Sequence, residues 1–153
     1  MENQRRFYKI ERDTIIKPGF KHVGVYDSQS GWVLDLQNNN SRIELRTVSF
    51  EEFAQNRDVS YSKTIHPLND DETVLQRWNA VANEYNAGKL KDINYFAPGT
   101  SGIITDANGL NCENLAEYVL TGHKDNPQGT FFRIIGAVIA SMGITAILLV
   151  SKK

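Results

Sequence analysis

The sequence predicts an α+β domain, an antiparallel sheet packed on helices, followed by a C-terminal transmembrane helix. Three observations predict it. Short β-prone runs separated by turn formers crowd into residues 12–49. Capped segments with helical periodicity follow them, and strands first with helices after is the α+β order. Residues Ile134 to Val150 then supply 17 consecutive residues without a charge.

Thr14-Ile15-Ile16 is a short β-prone run that stops at Pro18-Gly19. Phe20–Tyr26 and Trp32–Gln37 are two more, and the Asp27-Ser28-Gln29-Ser30-Gly31 joint between them has hairpin chemistry. Arg42–Val48 alternates polar and apolar and reads as a further strand. Ser49 with Glu52 three residues on fits a capping box, so a short helix runs to about Gln55. Residues 56–68 read as a loop ending at His66-Pro67.

Asn69-Asp70-Asp71-Glu72 is a helix start, with Asn69 as cap and acids in the first turn. Val74, Leu75, Trp78, Val81, Ala82 and Tyr85 keep the helical spacing, and Gly88 is the stop. Residues 90–96 read as a strand, and 97–110, rich in glycine and turn formers, as a loop. A second helix covers Cys112–Thr121, with Asn111 as cap and Gly122 just past its end.

The apolar segment spans about 26 Å as a helix, slightly less than a hydrocarbon core. Arg133 can snorkel at one end, and Lys152 and Lys153 close the other. A helix apolar all round needs protein on every side. A chain of 153 residues has little left to surround it, so a membrane is the favoured surrounding over a protein core. Gly136, Ala140 and Gly143 give it a small-residue side, which also offers a homodimer contact. MENQRRFYKI has no apolar run of the kind a signal peptide needs. The organisation expected is a head over 1–122, a linker over 123–130 and an anchor over 131–153.

Composition excludes several classes. Apolar residues are 41% and charged residues 23%, ordinary for a globular chain and unlike a disordered one. The anchor carries three basic residues and no acid, which leaves head and linker together, residues 1–130, with 14 basic and 18 acidic side chains. No nucleic-acid partner is expected from an acidic head with scattered basic residues. One cysteine cannot form an internal disulfide.

That cysteine, Cys112, stands at the first position of a predicted helix. Free backbone N–H groups and the helix dipole there favour a thiolate, and the same N–H groups can hold an oxyanion. A buried Cys acting as a small hydrophobe is the competing reading. A cysteine nucleophile needs a base and the base an orienting group. Of the three histidines, His66 and His123 fall in predicted loop and linker, while His22 falls in a strand. A four-residue loop at 27–30 closes on Tyr26 and Gly31 and sets His22 opposite Asp35, with Cβ atoms roughly 5 Å apart. A carboxylate beside an imidazole fixes its tautomer and raises its basicity. A loop one residue longer or shorter would turn Asp35 to the other face.

His22-Val23-Gly24-Val25-Tyr26 followed by Gly31-Trp32-Val33-Leu34-Asp35-Leu36 resembles the H-box of the LRAT-like acyltransferases. Asn111-Cys112-Glu113-Asn114-Leu115 resembles their Asn-Cys-Glu box. This family joins lecithin:retinol acyltransferase, the PLAAT phospholipases and acyltransferases, and picornaviral proteins with the same two boxes. The resemblance runs over nearly the whole chain, including the Arg12–Gly19 entry, the 70–87 helix and the apolar tail. The chain departs from the pattern in four places. Asp35 stands where PLAAT members carry a second histidine, and Val23 replaces a common aromatic. Asn114-Leu115 replaces His-Phe, and the 97–110 loop is long.

The resemblance implies a circularly permuted NlpC/P60 (papain-like) domain in which a strand histidine faces a cysteine at a helix N-terminus. It implies Cys112 as nucleophile and His22 as base, with Asp35 orienting the base. Asn111 and Tyr26 complete the set as oxyanion or positioning residues. The expected activity is that of a membrane-anchored phospholipase A1/A2 or acyltransferase. Phospholipid is the substrate, and neither a metal nor another cofactor is needed. The expected location is an intracellular membrane reached through the single C-terminal span. Two other readings stay open. One is a thiol amidase or peptidase, and the other is a non-catalytic membrane-recruitment protein on the same fold.

Overall fold

The computed structural model describes residues 5–14, 21–90, 94–95 and 109–123. The elements are β1 (Phe7–Asp13), β2 (Lys21–Asp27), β3 (Trp32–Asn39), β4 (Arg42–Ser49), α1 (Phe50–Ala54), β5 (Val59–Tyr61), α2 (Asp71–Asn86), β6 (Asn94–Tyr95), β7 (Gly109–Leu110) and α3 (Cys112–Thr121). The fold is α+β. One sheet of order β5-β1-β2-β3-β4-β6-β7 carries the helices, and only the short β6–β7 pair is parallel.

The first strand differs from expectation. It is β1, not the 14–16 run; Thr14 lies just past its end, and residues 15–20 lie outside those described. Phe7, Lys9 and the pair Ile10 and Arg12 are buried, so charged residues stand at inward positions and hide the period of two from a polarity reading. β5 lies inside the stretch read as a loop, because three residues pairing with the edge of β1 carry no local signal. Of the strand expected at 90–96, Leu90 lies in a turn, β6 is strand, and the other residues lie outside those described. Gly109-Leu110, read as loop, pairs with β6. The linker beyond 123 and the apolar segment lie outside the described residues. Among the described residues no helix is long and apolar enough to cross a membrane.

The hairpin between β2 and β3 closes one residue later than expected. Asp27 pairs with Trp32, and Gly24, not His22, lies opposite Asp35. Asp27 ties the loop by accepting from Gln29 N and Ser30 Oγ. The loop keeps four residues, so the displacement moves the pairing by two positions and preserves the face. β3 and β4 close tightly through Asn40 and Ser41, both at positive φ, which sets Asp35 opposite Arg46.

The helix ends follow side-chain chemistry. The Ser49 side chain accepts from Glu52 N and caps α1. α2 is capped by Asp70 instead of Asn69: its carboxylate accepts from Thr73 N at 2.9 Å and Thr73 Oγ1 at 2.7 Å. Gly88 follows the C-cap at φ 78°. α3 runs between the Asn111 cap and Gly122 at φ 85°, as the sequence predicts.

The two faces of the sheet are buried separately. Val23, Val25, Leu34, Leu36, Ile43 and Leu45 pack under Trp78 of α2 and Leu115, Val119 and Leu120 of α3. Ile10, Val33 and Val48 pack under Phe53 of α1. The buried Lys9 of β1 donates to Glu113 and Glu117 of α3, which are buried as well. Glu117 also accepts from the Ile65 N–H. This ion cluster ties the first strand and the 62–65 segment to the last helix.

Candidate active site

The site is built where β2, β3 and the start of α3 meet. Among the described residues the ladder between β2 and β3 stops at Gly24–Asp35. His22 therefore lies just beyond the last paired rung. Cys112, the first residue of α3, is buried and close enough to His22 to raise the basicity of its ring. The resemblance-derived pair is thus brought together from positions 22 and 112.

Asp35 completes the line. His22 Nε2 lies 2.6 Å from Asp35 Oδ1, and Asp35 is 0% exposed. Its other oxygen accepts from Gln37 Nε2 and Arg46 Nη2, each at 2.9 Å. Burial raises the Asp35 pKa, but the bonds from His22, Arg46 and Gln37 outweigh it and hold the carboxyl below its usual range. A carboxylate accepts only, so Nε2 carries a proton and Nδ1 is the nitrogen left for exchange with a thiol. Burial lowers the His22 pKa. The bonds to Asp35 and Cys112 and their charges act the other way and push it up to about 9.

The His22 ring is also fixed face-on. Phe53 of α1 stacks on it at 5.5 Å between centroids and 26° between planes. Gly24 makes room for that stack: a Cβ there would lie 2.9 Å from Phe53 Cε2 and 2.7 Å from Val33 Cγ1. The histidine is thus held by Asp35 at one ring nitrogen and by Phe53 over its plane.

The remaining candidates separate. Asn111 is fully buried, and its Oδ1 accepts from Asn114 N at 2.9 Å, which makes its visible work the capping of α3 beneath Cys112. Tyr26 lies four residues along β2 from His22, roughly 13 Å at strand rise. Its ring packs edge-on against Phe50. Tyr26 is not placed beside His22, because it stands at the loop end of β2, one rung from the closing Asp27–Trp32 pair.

Sequence reasoning missed Gln37, Arg46 and Phe53. Arg46 had a signal: a two-residue turn at Asn40-Ser41 sets it opposite Asp35. Gln37 follows from alternation on β3, two residues from Asp35 on its face. Phe53 reaches the site by tertiary packing and has no local signal. A scan against family models finds no match for this chain, and a search of the curated proteins finds none either.

Proposed function

We propose that this chain is a thiol acyl hydrolase or acyltransferase of the LRAT-like and PLAAT type, working on glycerophospholipid at a membrane. The observation that carries the reading is the buried His22, hydrogen-bonded to Asp35 and set beside Cys112 at the start of α3. A strand histidine preceding a helix-start cysteine in chain order also supports the circularly permuted NlpC/P60 assignment.

The proposed chemistry uses that arrangement in order. His22 takes the Cys112 proton, and its raised basicity lets it hold that proton at neutral pH. Cys112 Sγ bonds to the ester carbonyl carbon, and the carbonyl electron pair moves onto oxygen, near the N–H groups that open α3. Collapse breaks the C–O bond, and His22 protonates the departing lysophospholipid alkoxide. An acyl thioester is left on Cys112. Water, deprotonated by His22, then releases fatty acid and restores the thiol. An amine or lysolipid in place of water gives acyl transfer. Asp35 keeps the charged imidazole in place throughout. The uncharged segment within 131–153 would hold this head at the bilayer and raise the local substrate concentration.

The experiment is fatty-acid release from phosphatidylcholine vesicles, read beside intact mass. Wild-type protein gains an acyl group on Cys112; Cys112→Ala gains none and releases no fatty acid. Full activity in Cys112→Ala sinks the reading. Cleavage of peptide amides alone selects the amidase alternative, and no thioester on any substrate selects the recruitment alternative.

A further inference from the structure

One buried cation stands beside this line without a use in it. Arg12 of β1 is the cross-strand partner of His22, on the side away from Asp35. It is 6% exposed, and its guanidinium carbon lies 5.4 Å from the centroid of Phe53, the ring that also stacks on His22. Its Nε has no hydrogen-bond partner, and among the described residues it forms no ion pair with a carboxylate.

The other inward-facing cations differ. Lys9 is paired with Glu113 and Glu117, Arg6 with Asp27, and Arg46 with Asp35. Asp35 already accepts from His22, Gln37 and Arg46, so it has little left to offer Arg12. Burial and the nearby Arg57 hold the Arg12 pKa down; Asp35 and Cys112 pull it up, and Arg46 adds to the lowering. Arg57 itself donates to the carbonyl of Asp13. A buried guanidinium among like charges is costly unless an anion meets it. Its planar fork fits phosphate oxygens.

We propose that Arg12 is the anion-binding residue of the site and that its ligand is the phosphodiester of a glycerophospholipid, seated beside the Cys112 thiol. The proposal rests on the acyl-hydrolase reading for its ligand. In a glycerophospholipid the phosphate is separated from the nearer acyl ester by only a short stretch of glycerol backbone. A thiol that attacks that ester therefore has the phosphate close by, and Arg12 is the cation in that position. The site would then select phospholipid over neutral acylglycerol by charge.

The test compares the full-length wild type, Arg12→Gln and Arg12→Lys on phosphatidylcholine and diacylglycerol in mixed micelles. Arg12→Gln should raise the phosphatidylcholine KM about tenfold or more and leave diacylglycerol turnover unchanged, with Arg12→Lys between. An equal loss on both substrates overturns the proposal, because Arg12 would then serve the oxyanion or the fold. A melting temperature unchanged or raised in Arg12→Gln supports an unpaired cation, and a lowered one argues for a structural role.

A second arm needs no turnover. Glycerophosphocholine should slow iodoacetamide alkylation of Cys112 in the wild type and not in Arg12→Gln. Protection by inorganic phosphate alone overturns the lipid assignment, and no protection by either overturns the anion site. If neither ester is cleaved while glycerophosphocholine still protects through Arg12, the acyl-hydrolase reading fails and the anion site stands.

Discussion

Asp35 is the residue on which three side chains depend. His22, Gln37 and Arg46 all donate to it, and it has no exposure to share the load with water. Asp35→Asn keeps the shape and removes the charge. It should cost about 3 kcal/mol in urea unfolding, because two cationic partners lose their counter-charge. It should also lower kcat/KM on phospholipid about 10³-fold, because an amide no longer fixes the His22 tautomer. The same pair sets a pH dependence. Unfolded, His22 titrates near 6.5; folded, it titrates at about 9. Its contribution is therefore fully present below about pH 6.5 and is lost as pH rises through about 9. Asp35 runs the other way: its lowered pKa contributes above the usual carboxylate range and fades as pH falls through the folded value. Unfolding midpoints should fall between pH 6 and 9.5 by on the order of 3 kcal/mol, and His22→Gln should flatten that slope.

At the scale of elements, the site is an agreement between a hairpin, a short helix and the start of α3. Gly24 shows how narrow the agreement is. Gly24→Ala would drive a methyl group into Val33 and Phe53 and push the ring away from His22. It should cost about 1–3 kcal/mol by thermal melting, with activity falling more than stability alone explains. The sequence made α3 legible to the residue, since Asn111 and Gly122 are strong end signals. It made the His22–Asp35 contact legible through alternation and loop length, although the rung was wrong by two positions. The error was harmless because a two-position shift keeps the face. Tyr26 fell out for a different reason: it shares the face of His22 but stands at the other end of the strand. β1 was not legible, because Lys9 and Arg12 are charged side chains that are buried, and the partners of Lys9 lie far along the chain. Periodicity detects apolar faces and does not see charged side chains that point inward.

At the scale of the whole molecule, the acidic head and the uncharged 134–150 segment are proposed to divide the work between chemistry and location. Placing arginine at Val138 and Leu148 together should add several kcal/mol to insertion. The doubly substituted full-length protein should no longer float with vesicles but should still hydrolyse short-chain, water-soluble phospholipid. Flotation equal to wild type would remove the anchor from the proposal.

The Lys9 cluster has a consequence in time. Its two carboxylates lie 104 and 108 residues along the chain from the lysine. Closing so long a loop is slow and must precede the contacts that reward it. The hairpin bearing His22 and Asp35 can form early during synthesis, from neighbouring residues. The thiol reaches them only after α3 has emerged and swung back onto β1. The growing chain therefore carries the His22–Asp35 pair long before Cys112 can stand beside it, and the proposed chemistry would wait for the end of α3 to be made.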